Sequence, residues 1–415
     1  MDEAKPFTIP KKGFGAAFKQ VKANGGIAGV DGQTIEEFEG DLDDNLYKLW
    51  NRMSSGSYFP KPVMRVEIPK GDGGTRPLGI PTVTDRVAQT VVKRYLEPGL
   101  EKVFHPDSYG YRPGRSAVGA VGVARKRCWR YDWVLDLDIK GFFDSIDHEL
   151  MMRAVRKHTE EKWVLLYIER WLTAPVVFED GTREERGKGT PQGGVISPLL
   201  ANLFLHYAFD AWITEEYPHI PFERYADDIV CHCKSRRQAK WLMARIEERF
   251  ARCKLVLNRE KTKTVYCKDD DRRGNYPNQK FDFLGFTFRP RRAKDKRGKY
   301  FISFLPAVSN KAARAMRQAM RKLGLHRMSH SDLEDLARLV NPITRGWINY
   351  YGSYYRSALY PVFKHLDRTL VRWAMRKFER FNGRLGKAFR WLDGIRQRQP
   401  ELFVHWRLLG ATAGR

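Results

Sequence analysis

Apolar residues recur along the chain with two different periods, which predict a mixture of helices and strands. Residues 11–60 follow a helical period that is interrupted at Gly25–Gly26, and they predict a small N-terminal cap. Apolar and polar residues alternate over 63–68, and residues 77–80 predict the returning strand of a hairpin after a glycine-rich turn. Further helices are predicted over 84–102, 148–175, 198–216, 235–252 and 309–323, and further strands over 131–139, 222–233 and 281–288.

Two of the predicted strands carry aspartates beside strongly apolar residues. Asp138 lies between Leu137 and Ile139 in the segment Leu135–Asp144, and Asp227 and Asp228 lie at the predicted turn of the 222–233 hairpin. Burying a carboxylate is costly unless it is paired or bound to a cation, so acids among apolar strands indicate a metal site. Adjacent aspartates are also common in ordinary turns, and this alternative stays open at this point.

The chemistry of nucleotidyl transfer explains why such a site would be acidic. In a two-metal site, carboxylates hold two Mg²⁺ ions about 3.5–4 Å apart, where one ion activates an attacking 3′-hydroxyl and the other stabilises leaving pyrophosphate. Lys70 and Arg76 on the glycine-rich hairpin suit an incoming triphosphate, because Arg offers a bidentate fork and Lys a mobile charge. The same two residues are equally compatible with ordinary surface charge.

The charge of the chain points to a polyanionic partner. The 415 residues carry a formal net charge of +26 at pH 7, and residues 289–415 hold 29 Lys and Arg against 8 Asp and Glu. Such a field attracts nucleic acid, and no apolar run is long enough to favour a membrane protein instead. The helix predicted over 309–323 has an apolar face that comprises Ala312, Met316, Ala319, Met320 and Leu323. Its polar face carries Arg314, Arg317 and Arg321, which suits a phosphate backbone as well as plain solvation.

The five cysteines indicate neither disulfides nor zinc. Their number is odd and no C-x-x-C pair occurs, so we expect a protein of a reducing cytoplasm. Cys231 and Cys233 flank His232 in a predicted strand, where alternate positions face the same side. We interpret both as buried strand residues.

Taken in order, the motifs of the chain resemble those of the reverse transcriptases encoded by bacterial group II introns. The resemblance runs over nearly the whole sequence, and the order of the motifs is its most specific feature. The segments that carry it are Ile68–Pro81, His105–Ser116, Asp138–Asp144, Thr190–Leu200, Tyr225–Asp228, Asn258–Thr262, Phe283–Phe286 and Asn341–Tyr351.

The resemblance implies metal-binding and nucleotide-binding roles for individual residues. It implies that Asp138, Asp227 and Asp228, with the backbone carbonyl of Ile139, bind two Mg²⁺ ions, for which Mn²⁺ is a possible substitute. It also implies that the ring of Phe143 is the steric gate against ribonucleotides.

Further roles concern the substrate and the primer. By the same resemblance, Gln192 contacts the nascent base pair, and Lys261 either donates a proton to pyrophosphate or binds phosphate. Gly285 lies in the segment similar to the primer grip, and Arg345 lies in the thumb segment and is an RNA-binding candidate.

These motifs imply an α+β right-hand polymerase with an antiparallel palm sheet and a helical thumb. The expected domains are an N-terminal extension of the fingers over 1–60, fingers and palm over 61–288, and a strongly basic thumb or maturase domain over 289–415. We expect an RNA template, a DNA or RNA primer, dNTPs and structured group II intron RNA as partners, in the bacterial cytoplasm and associated with RNA or the nucleoid. No His/Cys-rich cluster follows the segment 403–407, so we expect the form without an endonuclease domain.

The expected function is RNA-directed DNA synthesis, combined with assistance to intron splicing and retromobility. Two alternatives stay open: a non-catalytic RNA-binding maturase, and a domesticated reverse transcriptase that serves phage defence or repair. Three intact palm aspartates argue against a loss of polymerase chemistry, and an aromatic residue at position 143 argues against an RNA-dependent RNA polymerase.

We expect the affinity for RNA to fall steeply with salt, because phosphate contacts by the basic residues of 289–415 release counterions. The log–log slope should be roughly −0.7 to −0.9 per phosphate contact. Anisotropy titrations of one labelled RNA at several KCl concentrations measure this slope. A flat response would contradict the placement of the RNA surface in the last third of the chain.

Overall fold

The computed structural model describes residues 5–69 and 74–410, and within them the chain forms two compact units. The first unit comprises the described residues up to Ala120 together with Val134–Thr264. The second comprises Val121–Trp133 and the described residues from Val265 onward. The functional boundary near residue 288 stays a prediction, and Lys70 lies outside the described residues.

Helices account for most of the regular structure. In chain order they are α1 (Lys12–Asn24), α2 (Ile35–Gly40), α3 (Leu42–Ser54), α4 (Val83–Glu101), α5 (Ala117–Cys128), α6 (Phe142–Ser145), α7 (His148–Arg156), α8 (Lys162–Thr173), α9 (Ser197–Leu205), α10 (Ala211–Glu216), α11 (Arg236–Arg252), α12 (Asn310–Lys322), α13 (Leu333–Tyr351), α14 (Tyr360–Lys377), α15 (Leu385–Arg398) and α16 (Val404–Gly410). A π-helical segment, His206–Asp210, joins α9 to α10.

The strands form three small sheets among the described residues. In chain order they are β1 (Val63–Pro69), β2 (Thr75–Ile80), β3 (Trp133–Leu137), β4 (Val176–Val177), β5 (Arg183–Glu184), β6 (Phe222–Tyr225), β7 (Asp228–Cys233), β8 (Lys263–Tyr266), β9 (Phe281–Phe283), β10 (Phe286–Lys294) and β11 (Tyr300–Val308). The sheet orders are β2-β1-β4-β5, β6-β7-β3-β8 and β11-β10-β9. The pairs β1–β2, β6–β7 and β10–β11 are antiparallel hairpins.

The predicted α+β architecture is confirmed, including the N-terminal helices and the helical C-terminal region. Helix α2 shows how local sequence sets an element's start, since the Thr34 hydroxyl accepts the N–H of Glu37 and the Glu37 carboxylate accepts the N–H of Thr34 at 2.8 Å. In the second unit, α12–α16 pack around a shared apolar core that contains Phe363, Trp373 and Trp406. Polar contacts accompany this apolar core. For example, the indole N–H of Trp406 donates to a carboxylate oxygen of Asp367 at 3.0 Å.

Three sequence predictions differ from the structure in detail. The helix predicted over 148–175 is interrupted between Arg156 and Lys162, so it forms α7 and α8. The apolar face predicted for α12 included Ala319, which is exposed, whereas Ala313 is buried beside Met316 and Met320. The strand predicted over 281–288 is divided by a turn at Leu284–Gly285 into β9 and the start of β10, and β10 continues to residue 294 and returns as β11.

The interpretation of the cysteines is confirmed. Cys231 and Cys233 are both free thiols and fully buried in β7. His232 lies between them, and its Nε2 is 2.6 Å from a carboxylate oxygen of Glu223 on the neighbouring strand β6. These residues therefore belong to the interior of the sheet.

In the described part of the chain, no helix combines the length and the apolar character needed to cross a bilayer.

Candidate active site

The three candidate carboxylates stand on two neighbouring strands of one sheet. Asp138 directly follows β3, and Asp228 begins β7, the neighbour of β3 in the sheet. The backbone at Asp138 is fixed on the other side, because its carbonyl accepts the N–H of Asn258 at 2.8 Å and its N–H donates to the Thr262 hydroxyl at 3.3 Å. The Asn258–Thr262 segment therefore holds the end of β3 in place.

The hairpin of β6 and β7 turns through only two residues. Tyr225 pairs with Asp228, so Ala226 and Asp227 form the turn. Ala226 has a positive φ of 54°, which a β-hairpin turn of this kind normally assigns to glycine. A non-glycine residue in this region is strained by about 1–3 kcal/mol and persists only where the surroundings hold it.

Desolvation and the proximity of like charges make Asp227 and Asp228 resist ionisation. Desolvation and the charges of Asp227 and Asp138 raise the pKa of Asp228 to about 6, although its side chain borders solvent, and Lys261 opposes this rise. Desolvation and the charge of Asp138 also raise the pKa of Asp227, against the opposing charges of Arg76 and Arg224. The three acids thus form one electrostatic cluster at the end of the sheet.

Two exposed cations lie next to this cluster. The Lys261 Nζ is 3.8 Å from Oδ2 of Asp138, and the lysine side chain is 69% exposed, which leaves it able to meet a ligand. Arg76 on β2 donates through Nε to the Oε1 of Gln192 at 2.8 Å. Burial raises the pKa of Tyr111, whose ring lies 6.3 Å from that of Tyr225, and the nearby charge of Arg76 opposes this rise. The structure therefore brings Arg76 and Gln192 together beside the hairpin turn.

The segment that carries Gln192 is built closely onto the β1–β2 hairpin. The carbonyl of Gln192 accepts the N–H of Gly79 at 2.6 Å, and a Cβ added to Gly193, whose φ is 117°, would collide with Gly79 and Leu78. Glycine at position 193 is therefore required by the close approach of two backbones. The predicted gate residue Phe143 is buried, and its carbonyl accepts the N–H of Thr190 at 2.8 Å.

A buried ion pair lies directly beneath the strained turn. The Arg224 guanidinium is fully buried and donates through Nε to Oδ1 of Asp210 at 2.7 Å. Its Nη1 donates to Oδ1 of Asn202 at 2.9 Å and to the carbonyl of Ala226 at 3.1 Å. The amide of Asn202 in turn donates to the carbonyl of Gly110 at 2.6 Å. The network thus links the turn to α9, to the π-helical segment and to the His105–Ser116 motif.

Sequence reasoning did not identify Arg224, Asp210 or Asn202. The available signal was the same one that identified the aspartates, since Arg224 is a charged residue at an inward position of an apolar strand. Its partner could not be found from periodicity, because Asp210 lies in the π-helical segment, where helical spacing fails. Gly110 approaches the turn so closely that an added Cβ would collide with the N atom of Ala226.

The cluster has the donor chemistry of a magnesium site without being closed around an ion. Carboxylate oxygens are the hard ligands that Mg²⁺ prefers, and a cation would offset the desolvation and the mutual repulsion that together raise the pKa of Asp228. Within residues 5–69 and 74–410, no group of three or more His, Cys, Asp or Glu side chains is already gathered tightly enough to hold a metal ion.

The remaining candidate residues lie in the second unit. Gly285, with a φ of 79°, follows Leu284 in the turn between β9 and β10, and an added Cβ would lie 2.9 Å from the hydroxyl oxygen of Tyr351. Its carbonyl accepts the N–H of Ser309 at 2.9 Å, and the Tyr350 hydroxyl donates to the carbonyl of Leu284 at 2.9 Å. The FLGF turn is therefore fixed by α13 and by the start of α12.

The candidate arginines of the thumb segment form a basic surface. On α12, Arg314 and Arg321 are exposed and Arg317 is half-buried, and Arg345 is exposed on α13. Burial lowers the pKa of His365 on α14, and the charges of Arg321 and Arg317 lower it further, so several cations share this region.

Comparison with known proteins identifies the class. Residues 68–288 match the family model described as "Reverse transcriptase (RNA-dependent DNA polymerase)", and residues 313–391 match that of "Group II intron, maturase-specific domain". The chain therefore belongs to the reverse transcriptase family. With both matches in one chain, its domain composition is that of the group II intron reverse transcriptases/maturases.

Curated relatives agree with this assignment. The chain is 32% identical to Protein YkfC of Escherichia coli (strain K12), over 66% of this chain and 77% of YkfC. It is 35% identical to the group II intron-encoded protein LtrA of Lactococcus lactis subsp. cremoris, over 46% of this chain and 32% of LtrA. It is 30% identical to the putative COX1/OXI3 intron 1 protein of Saccharomyces cerevisiae, over 48% of this chain and 24% of that protein. The alignment thus spans about a third or less of the two intron-encoded relatives.

Replacing Asp228 by Asn should stabilise the metal-free protein at neutral pH. The folded-state pKa of about 6 lies above the unfolded value, so the stability linked to protonated Asp228 is lost as pH rises through 6. Thermal melting in a chelator should therefore show a larger gain in Tm for Asp228→Asn at pH 8 than at pH 5. Added Mg²⁺ should raise the Tm of the wild type more than that of the variant. An equal gain at both pH values would contradict the electrostatic coupling.

Breaking the buried ion pair should be strongly destabilising, whereas removing both charges should not. Arg224→Met leaves Asp210 buried without its guanidinium, which should reduce the free energy of unfolding by about 3–5 kcal/mol in chemical denaturation. The double variant Arg224→Met with Asp210→Leu should recover most of that loss, because no uncompensated charge remains. A double variant as unstable as the single one would show that the ion pair is not the source of the effect.

Proposed function

We propose that this chain is an RNA-directed DNA polymerase that extends a DNA or RNA primer on an RNA template with dNTPs and Mg²⁺. The observation that carries the proposal is the electrostatic cluster of Asp138, Asp227 and Asp228 on two neighbouring strands, in which the pKa of Asp228 is raised to about 6. Membership of the reverse transcriptase family supports the same chemistry.

Each residue near the cluster has a proposed part. Asp138, Asp227 and Asp228, with the carbonyl of Ile139, hold Mg²⁺, and Mn²⁺ is a possible substitute. When bound, the two ions supply Lewis acidity at the attacking 3′-hydroxyl and at the leaving pyrophosphate. Lys261, exposed beside Asp138, meets the phosphates and is a candidate proton donor.

The nucleotide lies, in this proposal, between the β1–β2 hairpin and the Thr190–Leu200 segment. Arg76 is held toward Gln192 by a hydrogen bond of 2.8 Å, which positions one cation for the triphosphate and one amide for the nascent base pair. The ring of Phe143 excludes a 2′-hydroxyl. Lys70 belongs to the same proposal on sequence grounds alone.

We also propose that the second unit binds structured group II intron RNA and thereby assists splicing and retromobility. The support is the basic surface of Arg314, Arg317, Arg321 and Arg345, together with the match of residues 313–391 to the maturase-specific domain. Gly285 and its turn hold the primer strand. The proposed location is the bacterial cytoplasm, in association with RNA.

Removing two of the three carboxylates should abolish DNA synthesis. We expect the double variant Asp227→Ala with Asp228→Ala to show no primer extension on an RNA template with dNTPs and Mg²⁺, while its affinity for RNA stays close to that of the wild type. The loss should exceed about 10³-fold, since each ligand acts on transition-state charge. Gel-resolved extension of a labelled primer measures it.

The matched control is Asp43→Ala with Asp44→Ala, which removes an exposed adjacent pair from α3 and changes the net charge equally. This control should extend primers as the wild type does. If the folded wild type binds RNA but extends no primer, the chain is a non-catalytic maturase and the polymerase proposal fails.

A further inference from the structure

Strands β10 and β11 form a ribbon whose outer half extends past the third strand of its sheet. β9 pairs with β10 only over Phe286–Phe288, whereas the pairing of β10 with β11 continues as far as Lys294 and Tyr300. The inner half is a core element, since the rings of Phe288 and Phe304 are fully buried. From residue 289 onward the side chains change in character, and most of them are exposed. We call residues 289–302 the outer ribbon.

The outer ribbon is strongly basic. Residues 289–299 contain seven Lys and Arg and one acidic residue, Asp295. Six of the seven cations are exposed, and Arg291 is half-buried. Asp295 has a structural task, because its carboxylate accepts the backbone N–H groups of Arg297 and Lys299 at 2.8 Å and so closes the turn. The excess positive charge therefore faces solvent.

Aromatic and aliphatic side chains are exposed among these charges. Tyr300, Phe301 and Ile302 are 55%, 38% and 37% exposed, although they are consecutive residues of a strand. Successive strand residues face opposite sides, so Tyr300 and Phe301 present one ring on each face of the ribbon. Such a cluster of exposed apolar residues normally marks an interaction site.

The surroundings of the two rings favour a planar, negatively charged partner. The Arg292 guanidinium lies 3.8 Å from the centroid of Tyr300, and the Lys294 ammonium lies 5.6 Å from it. Phe301 pairs across the ribbon with Ala293, whose small side chain covers little of the ring. Rings with adjacent cations suit a chain that alternates flat bases with phosphates.

We propose that the outer ribbon binds unpaired RNA, with bases stacked on Tyr300 and Phe301 and phosphates bound by the neighbouring Lys and Arg. This inference rests on the proposed function, because it takes RNA as the partner of the chain. It deepens that function by assigning the binding of single-stranded RNA to the outer ribbon. Stacking requires a base whose face is free, and a duplex offers such faces only at its ends. The major groove of A-form RNA is also too narrow for side chains to read.

The test compares single-stranded and duplex RNA by anisotropy. The probe is a labelled, unstructured RNA of about 16 nucleotides, used alone or annealed to its complement, with the full chain in chelator and without dNTPs. Tyr300→Ala and Phe301→Ala should each weaken binding to the single strand by about five- to 150-fold, with less than about a twofold effect on the duplex. Tyr300→Phe should retain the affinity, since it keeps the ring.

Two controls separate stacking from charge and from a general loss of fold. Tyr47→Ala removes a ring of similar exposure, 48%, which lies 5.0 Å from the Lys11 ammonium on the first unit, and it should bind as the wild type does. Lys296→Gln with Arg297→Gln should reduce the salt slope for the single strand by about 1.4, whereas Tyr300→Ala should leave that slope unchanged.

Opposite results overturn the inference. It fails if the two alanine variants bind the single strand like the wild type, or if they lose single-stranded and duplex RNA equally. Because the assay needs neither metal nor dNTPs, it is independent of polymerase activity. Two results together would refute the proposed polymerase and still support the outer ribbon as an RNA-binding site. The wild type would extend no primer, and the Tyr300→Ala variant would bind single-stranded RNA more weakly than the wild type does.

Discussion

The backbone conformation of Ala226 is the constraint on which the candidate active site depends. A two-residue turn places Asp227 and Asp228 at the tip of the sheet, but it requires a positive φ of 54° at a residue that has a Cβ. The Arg224 guanidinium holds the Ala226 carbonyl from beneath, and Asp210 neutralises the fully buried guanidinium. The carboxylates are thus presented by a strained loop whose support is itself a buried pair of charges.

The charges above and below the turn have different tasks. Below it, Arg224 and Asp210 are fully buried and their separation is set by the packing of α9 and the π-helical segment. Above it, the aspartates repel one another and are accompanied by exposed cations such as Lys261, which is 69% exposed. The buried pair fixes geometry, whereas the exposed groups stay available for ligands that carry opposite charge.

Much of the fold and the centre of the site could be predicted from the sequence, for identifiable physical reasons. Asp138, Asp227 and Asp228 interrupt apolar strand patterns, where burying a carboxylate costs free energy unless it is paired or bound to a cation. The hairpin of β10 and β11 was largely missed, because Arg291, Arg292 and Lys294 conceal the strand alternation, and a basic run is usually read as surface loop or helix.

The support of the turn could not be predicted, because it depends on tertiary contacts. Neither Asn202 nor Asp210 is close to the turn in sequence, and an acidic residue in a predicted helix is ordinarily assigned to its solvated face. Similarly, the exposure of Ala319 and the burial of Ala313 reflect which side of α12 is covered by α14, and helical periodicity alone does not decide this.

The π-helical segment has a consequence for which deletions this chain can tolerate. In His206–Asp210 the backbone hydrogen bonds span five residues, one more than in an α-helix. Deleting any one residue there would let α9 and α10 join as a continuous α-helix, which conserves local hydrogen bonding and looks harmless. It would also change the turn that presents the Asp210 carboxylate to Arg224, because Asp210 is the last residue of the π-helical segment. The number of residues in this region is therefore set by the contact between Asp210 and Arg224, and not by local helix geometry.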